Sequence, residues 1–295
     1  MSQTILVAGA TGNLGGRIAH ALRSRGANVR AVVRAESDAA NVEKLTQQGV
    51  DVVRVDMANV AALTAACADV RCLVSAVAGL HDVIVDGQTV LLDAAVAAGV
   101  PRFIPSDFSS DFTRLPAGQN RNFDLRKEFQ ARVDRAPLAA TSILNGGFGE
   151  LLTYGMPLLD FKQHQVGYWE DADWKIDFTT MDDTAAFTAA VALDEATPRV
   201  LRIASFQISP RELAAEAAGA GQFALVRLGS REDLAAYIAQ ARAANPAGEQ
   251  QLYANWQQMQ YMLSMFSVQN NPLDNGRYPD VSWTSIQDVL RMRRQ

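Results

Sequence analysis

Apolar residues fall along this chain in two rhythms. Short unbroken runs, such as Ile5-Leu6-Val7-Ala8, alternate with stretches where Leu14, Ile18, Ala21 and Leu22 recur at helical spacing. Runs of the first kind read as buried strands and those of the second as amphipathic helices. The pattern predicts strands at 4–8, 29–33, 50–55, 70–77 and 102–105, with helices at 14–25, near 38–48, at 58–67 and at 82–98. Gly26, just past the first helix, is a stop signal. Strands spaced by helical segments of this length imply right-handed crossovers and an α/β fold built on a doubly wound parallel sheet.

A helix over 122–134 and a strand over 140–144 extend the pattern. Beyond residue 150 it loosens. Aromatics gather in HQVGYWEDADWKIDF, 182–193 reads as a helix, and 200–206 reads as a strand returning to the sheet. Ser209-Pro210 has the form of a helix start, serine as cap and proline in the first turn. YANWQQMQYMLSMF is an amphipathic helix leading into the turn-rich NNPLDNGRYP. With no repeat and no Gly/Ser-rich linker, the expected organisation is a nucleotide-binding domain over 1–150 and a substrate lobe over 151–295, the segment 182–206 rejoining the first.

Composition narrows the function classes. A net charge of −5 argues against nucleic acid, which wants a basic face. Cys67 and Cys72 with three scattered histidines do not make a zinc set. They read as reduced thiols, as in a cytosolic protein. The opening MSQTILVAGA has no basic flank and reads as a strand rather than a targeting segment. No apolar run approaches the ~20 residues of a membrane span. The expectation is a soluble, cytoplasmic protein with a small-molecule ligand and neither metal, nucleic acid nor membrane as partner.

The segment TILVAGATGNLGGRIAHAL sets Gly9, Gly12 and Gly15 between the first strand and the first helix, with Thr11, Asn13 and Leu14 beside them. Glycines there let backbone N–H groups approach a pyrophosphate while the helix N-terminus favours negative charge. Position in a first βαβ unit is what the dinucleotide reading requires. An NAD binder usually offers an acid about 20 residues past the glycines. Here the second strand ends at Arg34, whose guanidinium suits a 2′-phosphate and so NADP(H). Glu36, two residues on, keeps NAD as the minor alternative.

GATGNLGG, Arg34, QTVLLDAAVAAGVPRFIPSDF (88–108), NGGFGELL (145–152), DDTAAFTAAVALD (182–194) and LDNGRYPDV (273–281) together resemble the NmrA-like branch of atypical short-chain dehydrogenases. That branch holds isoflavone, phenylcoumaran benzylic ether and pinoresinol–lariciresinol reductases, and also NADP(H)-sensing regulators. The resemblance implies a Rossmann sheet with a smaller, mainly helical C-terminal lobe. It further implies that residues 75–78, Ala76, Val77 and Ala78 among them, border the adenosine and nicotinamide ribose, that 105–108, with Ser106 and Phe108, flank the nicotinamide, and that 145–148, with Asn145 and Phe148, close the other side. Asp56 would border the adenine and Lys44 would give a second phosphate contact, although a solvated carboxylate and an exposed helix lysine are equally ordinary readings.

Ordinary short-chain dehydrogenases use Tyr-x-x-x-Lys, and none of the six tyrosines here has a lysine four residues on. The resembling reductases carry aromatic-x-x-Lys at a helix start. In NFDLRKEFQARV, counting from Phe123 lands on Arg126, and Lys127 comes one place late. One residue is about 100° of helix rotation, so the two cannot share a pocket position. A lysine can act as acid or base near neutrality, whereas a guanidinium stays charged. Both remain candidate catalytic residues, with His81 and His164 as alternative acids. The expected function is an NADPH-dependent reductase of a small aromatic or conjugated carbonyl, quinone or ether, its pocket walled by Phe108, Phe148, Tyr154, Trp169 and the 259–266 helix. The rival is a non-catalytic NADP(H) sensor with a regulatory protein partner, and a homodimer is open to either.

Overall fold

A computed structural model of the chain describes residues 3–154 and 156–292. The chain forms two compact units. The first comprises Met1–Asp107, Leu125–Ile143 and Thr184–Leu201; the second comprises Phe108–Asp124, Leu144–Asp183 and Arg202–Gln295. The chain thus crosses repeatedly, first between Asp107 and Phe108, and not once near residue 150. The helix Arg121–Val133 shows why: Phe129 and Val133 lie in the core of the first unit, whereas its first turn counts with the second.

In the first unit the order is β1 (Thr4–Ala8), α1 (Asn13–Ser24), β2 (Asn28–Val33), α2 (Ala39–Gln47), β3 (Asp51–Arg54), α3 (Val60–Ala66) and β4 (Val70–Ser75). Then come a π-helical turn at Asp82–Gly87, α4 (Gln88–Ala97), β5 (Arg102–Ile104), α5 (Arg121–Val133) and β6 (Ala139–Ala140). The six strands form one parallel sheet in the order β3-β2-β1-β4-β5-β6. Ala8 pairs with Val32 on one side and Ser75 on the other, so the chain winds outward in both directions from β1. That reversal opens a crevice at the carboxyl ends of β1 and β4, where ligands of such sheets bind. Ile5 to Ala8 have no exposure, as a central strand covered on both faces requires.

The expected strand over 140–144 is two. Thr141 N–H still reaches Phe103 O of the sheet, but Ser142 N–H goes to Arg199 O, and β7 (Ser142–Leu144) pairs elsewhere. The expected helix over 82–98 begins as a π-turn, with the Gln88 N–H reaching back to Val83 O.

The second unit is built from short ladders. β8 (Gly147–Phe148), β11 (Ile176–Thr179) and β13 (Phe206–Ile208) form one; β9 (Leu159–Asp160), β10 (Gln165–Trp169) and β14 (Ala224–Gly229) form another. Most of the helix α6 (Met181–Leu193) and of β12 (Val200–Arg202) counts with the first unit instead; β12 pairs with β7 and does not join the six-stranded sheet. The run read as one strand over 200–206 breaks at Ala204, whose backbone N–H and C=O are both taken by the Asn275 side chain in place of a ladder. Helices α7 (Pro210–Ala217), α8 (Arg231–Ala244), α9 (Gln257–Met265) and α10 (Ile286–Met292) complete the unit. Ser209 caps α7 in a full capping box with Glu212, as the sequence indicated. The core gathers Leu159, Trp169, Phe178, Leu213, Met262 and Phe266.

Candidate functional site

The turn after β1 is shaped by backbone crowding. Gly9 has φ +83°, and a Cβ there would stand 2.4 Å from the Ala76 carbonyl oxygen. β1 and the segment after β4 can approach this closely only without a side chain. Gly12, the N-cap of α1, is exposed; its N–H donates to Gly9 O at 2.9 Å. No side chain among the described residues caps α1, and its first turn holds no acid. The helix start therefore presents exposed backbone at Gly12 and Asn13 with its positive dipole end outward, as a pyrophosphate needs. Thr11 and Leu14 are half-buried beside it, and Gly15 is buried beneath.

Arg34 follows directly on β2 with 69% of its side chain exposed, paired at 3.5 Å with Glu36. The Arg54 guanidinium donates to the carbonyls of Arg34 and Ala35 and holds this turn in shape. Lys44 is exposed in α2, about 8 Å along the axis from its start at 1.5 Å per residue. The Asp56 carboxylate accepts from Ala58 N–H at 2.9 Å, an Asx-type turn beyond β3.

At the carboxyl ends of β4 and β5 four segments are tied together. Ser106 donates its hydroxyl to Val77 O at 2.7 Å, and its N–H to the Gln88 side chain at 2.9 Å. Arg126 Nε donates to Ser106 O at 3.2 Å. The structure thus brings Val77, Ser106 and Arg126 to one edge, with Ala76 and Ala78 on either side of Val77. Lys127 is half-buried, about 100° farther round α5. Leu125 is half-buried; Phe123, Phe129 and Val133 are the buried apolar side chains of α5.

Asp107 lies just beneath this edge, 1% exposed. Ser142 Oγ donates to its carboxylate at 2.6 Å, and Arg199 donates to Ser142 Oγ at 2.7 Å. Burial pushes the Asp107 carboxyl up from its ordinary range, against the Ser142 hydrogen bond and the nearby Arg126 and Arg199 charges, which pull it down. His81, on the same stretch, faces Asp86 Oδ2 at 3.1 Å through Nδ1 and Glu128 Oε1 at 3.4 Å through Nε2.

In the second unit, Asn145 is fully buried, its N–H on Ser109 O and its carbonyl accepting from the Thr179 hydroxyl at 2.6 Å. Gly146 follows at φ +66°, where a Cβ would stand 2.3 Å from Asp177 O. This fixes the path into Phe148, which is half-buried beside Thr179 of β11. Phe108 is 7% exposed. Two expected pocket walls are elsewhere: Trp169 is a core residue against Phe266, rings 5.7 Å apart, and Tyr154 is 77% exposed. Tyr261 of α9 accepts from Asn122 Nδ2 at 2.9 Å and meets the Phe123 ring edge-on.

Sequence reasoning assigned no role to Gln88, Ser142 or Arg199, and reached Asp107 only as part of the stretch 105–108 that the resemblance sets beside the nicotinamide. The only signal for Gln88 was an amide ahead of the mostly apolar TVLLDAAVAA. Among the described residues no group of three His, Cys, Asp or Glu side chains is placed to hold a metal ion, and no helix is long and apolar enough to cross a membrane.

A parallel α/β sheet with a glycine turn, an uncapped helix start and a strand-end arginine defines a dinucleotide-binding protein of the doubly wound class. The chain belongs to the NmrA-like family, whose model matches residues 1–216. It is similar to pinoresinol reductase 1 of Arabidopsis thaliana, 27% identical over 320 residues, covering 98% of this chain and 96% of that protein. Among solved structures it resembles AtPrR2 with NADP+ and (+)-pinoresinol, at TM-score 0.82 and 22% identity over 99% of both chains. It also resembles the NADPH-dependent quinone oxidoreductase of Escherichia coli complexed with NADPH, at TM-score 0.77 and 21% identity, covering 99% of this chain and 100% of that one.

Proposed function

We propose that this protein is an NADPH-dependent reductase of a small aromatic or conjugated substrate, a quinone, enone or benzylic ether. The observation that carries the reading is the open start of α1 at Gly12 beside Arg34 at the end of β2. Backbone N–H groups and a helix dipole suit the pyrophosphate, and an exposed guanidinium suits the 2′-phosphate. The names of the relatives, reductases of pinoresinol and of quinones, support the aromatic substrate class. Free, buried Cys67 and Cys72 fit a reducing compartment such as the cytoplasm.

NADPH, when bound, supplies hydride. The chain's part is to hold the phosphates at Gly12 and Arg34, with Lys44 as the second phosphate contact and Asp56 at the adenine. Val77 borders the ribose and Ser106 flanks the nicotinamide. Arg126, anchored on Ser106 O, stabilises negative charge developing on a substrate oxygen. Its fixed charge makes it a poor proton donor, so the proton comes from water or from Lys127. That same fixed charge is the one feature favouring a non-catalytic NADP(H) sensor with a protein partner.

The deciding experiment is NADPH oxidation by the purified protein against a panel of quinones, aromatic enones and lignan-type benzylic ethers. Tight NADPH binding with no turnover on any of them would turn the assignment to the sensor.

A further inference from the structure

Gln88 opens α4 immediately after the π-turn, and its side chain has no exposure at all. Its backbone N–H reaches back five residues to Val83 O. Its side-chain Nε2 donates to Ile84 O at 2.8 Å, within the π-turn. Its Oε1 accepts from Ser106 N–H at 2.9 Å, just past β5. Ser106 in turn ties its hydroxyl to Val77 O and accepts from Arg126. One buried carboxamide therefore joins the π-turn to the residue that holds the exits of β4 and β5 and the start of α5.

We infer that Gln88 is a positioning residue for the nicotinamide half of the cofactor site. Its amide holds the β5 exit against the π-turn by donating to Ile84 O and accepting from Ser106 N–H at once, and Ser106 in turn holds the β4 exit at Val77. The inference rests on the NADPH-reductase reading and goes beyond it, because Gln88 acts only through Ser106. A π-turn interrupting a helix is a feature often found at functional sites. Here its register sets the Ile84 carbonyl within reach of the amide that follows. Without that amide, the buried Ser106 N–H and Ile84 C=O both lose a partner, and the segment between them is free to shift. The adenosine half, held by the glycine turn and Arg34, has no bond to Gln88 and is unaffected.

The chemistry of the amide supplies an unusual test. A glutamate at 88 has the same shape, but its carboxylate only accepts, and it would face the Ile84 carbonyl with lone pairs. The protonated acid has one O–H to donate and one C=O to accept, which restores both bonds. Gln88→Glu should therefore behave as wild type when protonated and as a broken clamp when ionised. Gln88→Met, which has neither group, should be broken at every pH.

The experiment compares two ligands, NADP+ and 2′,5′-ADP, which has adenosine with its 2′- and 5′-phosphates and no nicotinamide half. Near pH ~8, both variants should bind NADP+ at least about tenfold more weakly than wild type, and 2′,5′-ADP within roughly twofold of it. Lowering the pH toward ~5.5 should return the Glu variant, and not the Met variant, to the wild-type affinity ratio. Circular dichroism at each pH confirms that folded protein is compared; if the Met variant does not fold, the pH series of the Glu variant alone decides. Equal weakening of both ligands, undiminished NADP+ affinity, or a Glu variant insensitive to pH would overturn the inference. Wild-type protein that binds neither ligand would instead refute the cofactor reading on which it stands.

Discussion

The Arg126 side chain reaches from the first turns of α5 to the carbonyl oxygen of Ser106, Nε to O 3.2 Å, at the exit of β5. With Phe129 and Val133 buried on the same helix, Arg126 is the one of two adjacent cations bonded at this edge through Ser106. Arg126→Ala should lower kcat at least about tenfold, because developing charge on the substrate loses its cation. Lys127→Ala should stay within roughly threefold of wild type in kcat if water supplies the proton. A drop of about a hundredfold or more in Lys127→Ala, with cofactor affinity intact, would identify Lys127 as the general acid. Single-turnover NADPH oxidation on the two variants reads both.

Arg34 pairs with Glu36 where a 2′-phosphate is expected to sit, so the carboxylate competes with the ligand for one guanidinium. Arg34→Ala should weaken NADPH at least about tenfold, near 1.4 kcal/mol, and leave NADH almost unchanged. Glu36→Gln should tighten NADPH by a few-fold and have no effect on NADH. Fluorescence titration with both cofactors checks this, and equal losses for the two in Arg34→Ala would remove the 2′-phosphate assignment.

Gly12 has only one protein atom near the position of a Cβ, the Gly9 carbonyl oxygen at 3.2 Å. A side chain there meets little of the protein and projects into the space above the helix start. Gly12→Val should therefore abolish NADPH binding while far-UV circular dichroism and melting stay close to wild type. Gly9→Val, which would drive into the Ala76 carbonyl, should instead destabilise the fold. Retained binding by Gly12→Val would show that the ligand sits elsewhere.

Asp177 of β11 accepts from Gln207 Nε2 at 2.7 Å and Asn270 N–H at 2.6 Å. Burial pushes its carboxyl up to about 6, against both hydrogen bonds. Its ordinary value when unfolded is ~3.9, so between these limits the folded chain retains a proton that the unfolded chain has released. Its contribution is full below about pH 4 and falls as pH rises to about 6, by ~3 kcal/mol, then stays level. Denaturant unfolding of wild type and Asp177→Asn from pH 4 to 7 should show this slope in the wild type and its loss in the variant. Parallel pH profiles would exclude it.

The parallel sheet was legible because its strands carry short apolar runs and its helices carry recurring apolar positions. Elements defined by partner rather than by pattern were not. Nothing in Ala139-Ala140-Thr141-Ser142 says that the chain changes sheets at Thr141; the Arg199 carbonyl decides it. Ala204 looks like strand interior until Asn275, 71 residues on, takes both its backbone groups. At the site, the glycine turn and Arg34 were readable because each residue type has one evident use there. Gln88 and Ser142 were not, since a buried polar side chain shows its purpose only through what it bonds. Trp169 and Tyr154 misled for a related reason: an aromatic residue has the same letter in a core, on a surface or in a pocket wall.

The two border strands of the parallel sheet are short: β3 has four residues and β6 has two. β3 begins and ends with exposed charges, Asp51 held by Arg30 at 2.9 Å and Arg54 turned to the carbonyls of the preceding loop. A neighbouring chain has little unsatisfied backbone to copy along either border, and meets charge where it tries. Self-propagating stacking of one sheet onto the next, the route by which strand-rich chains polymerise at high concentration, is thereby denied a template. A larger body built on this parallel sheet would use its side-chain surfaces instead.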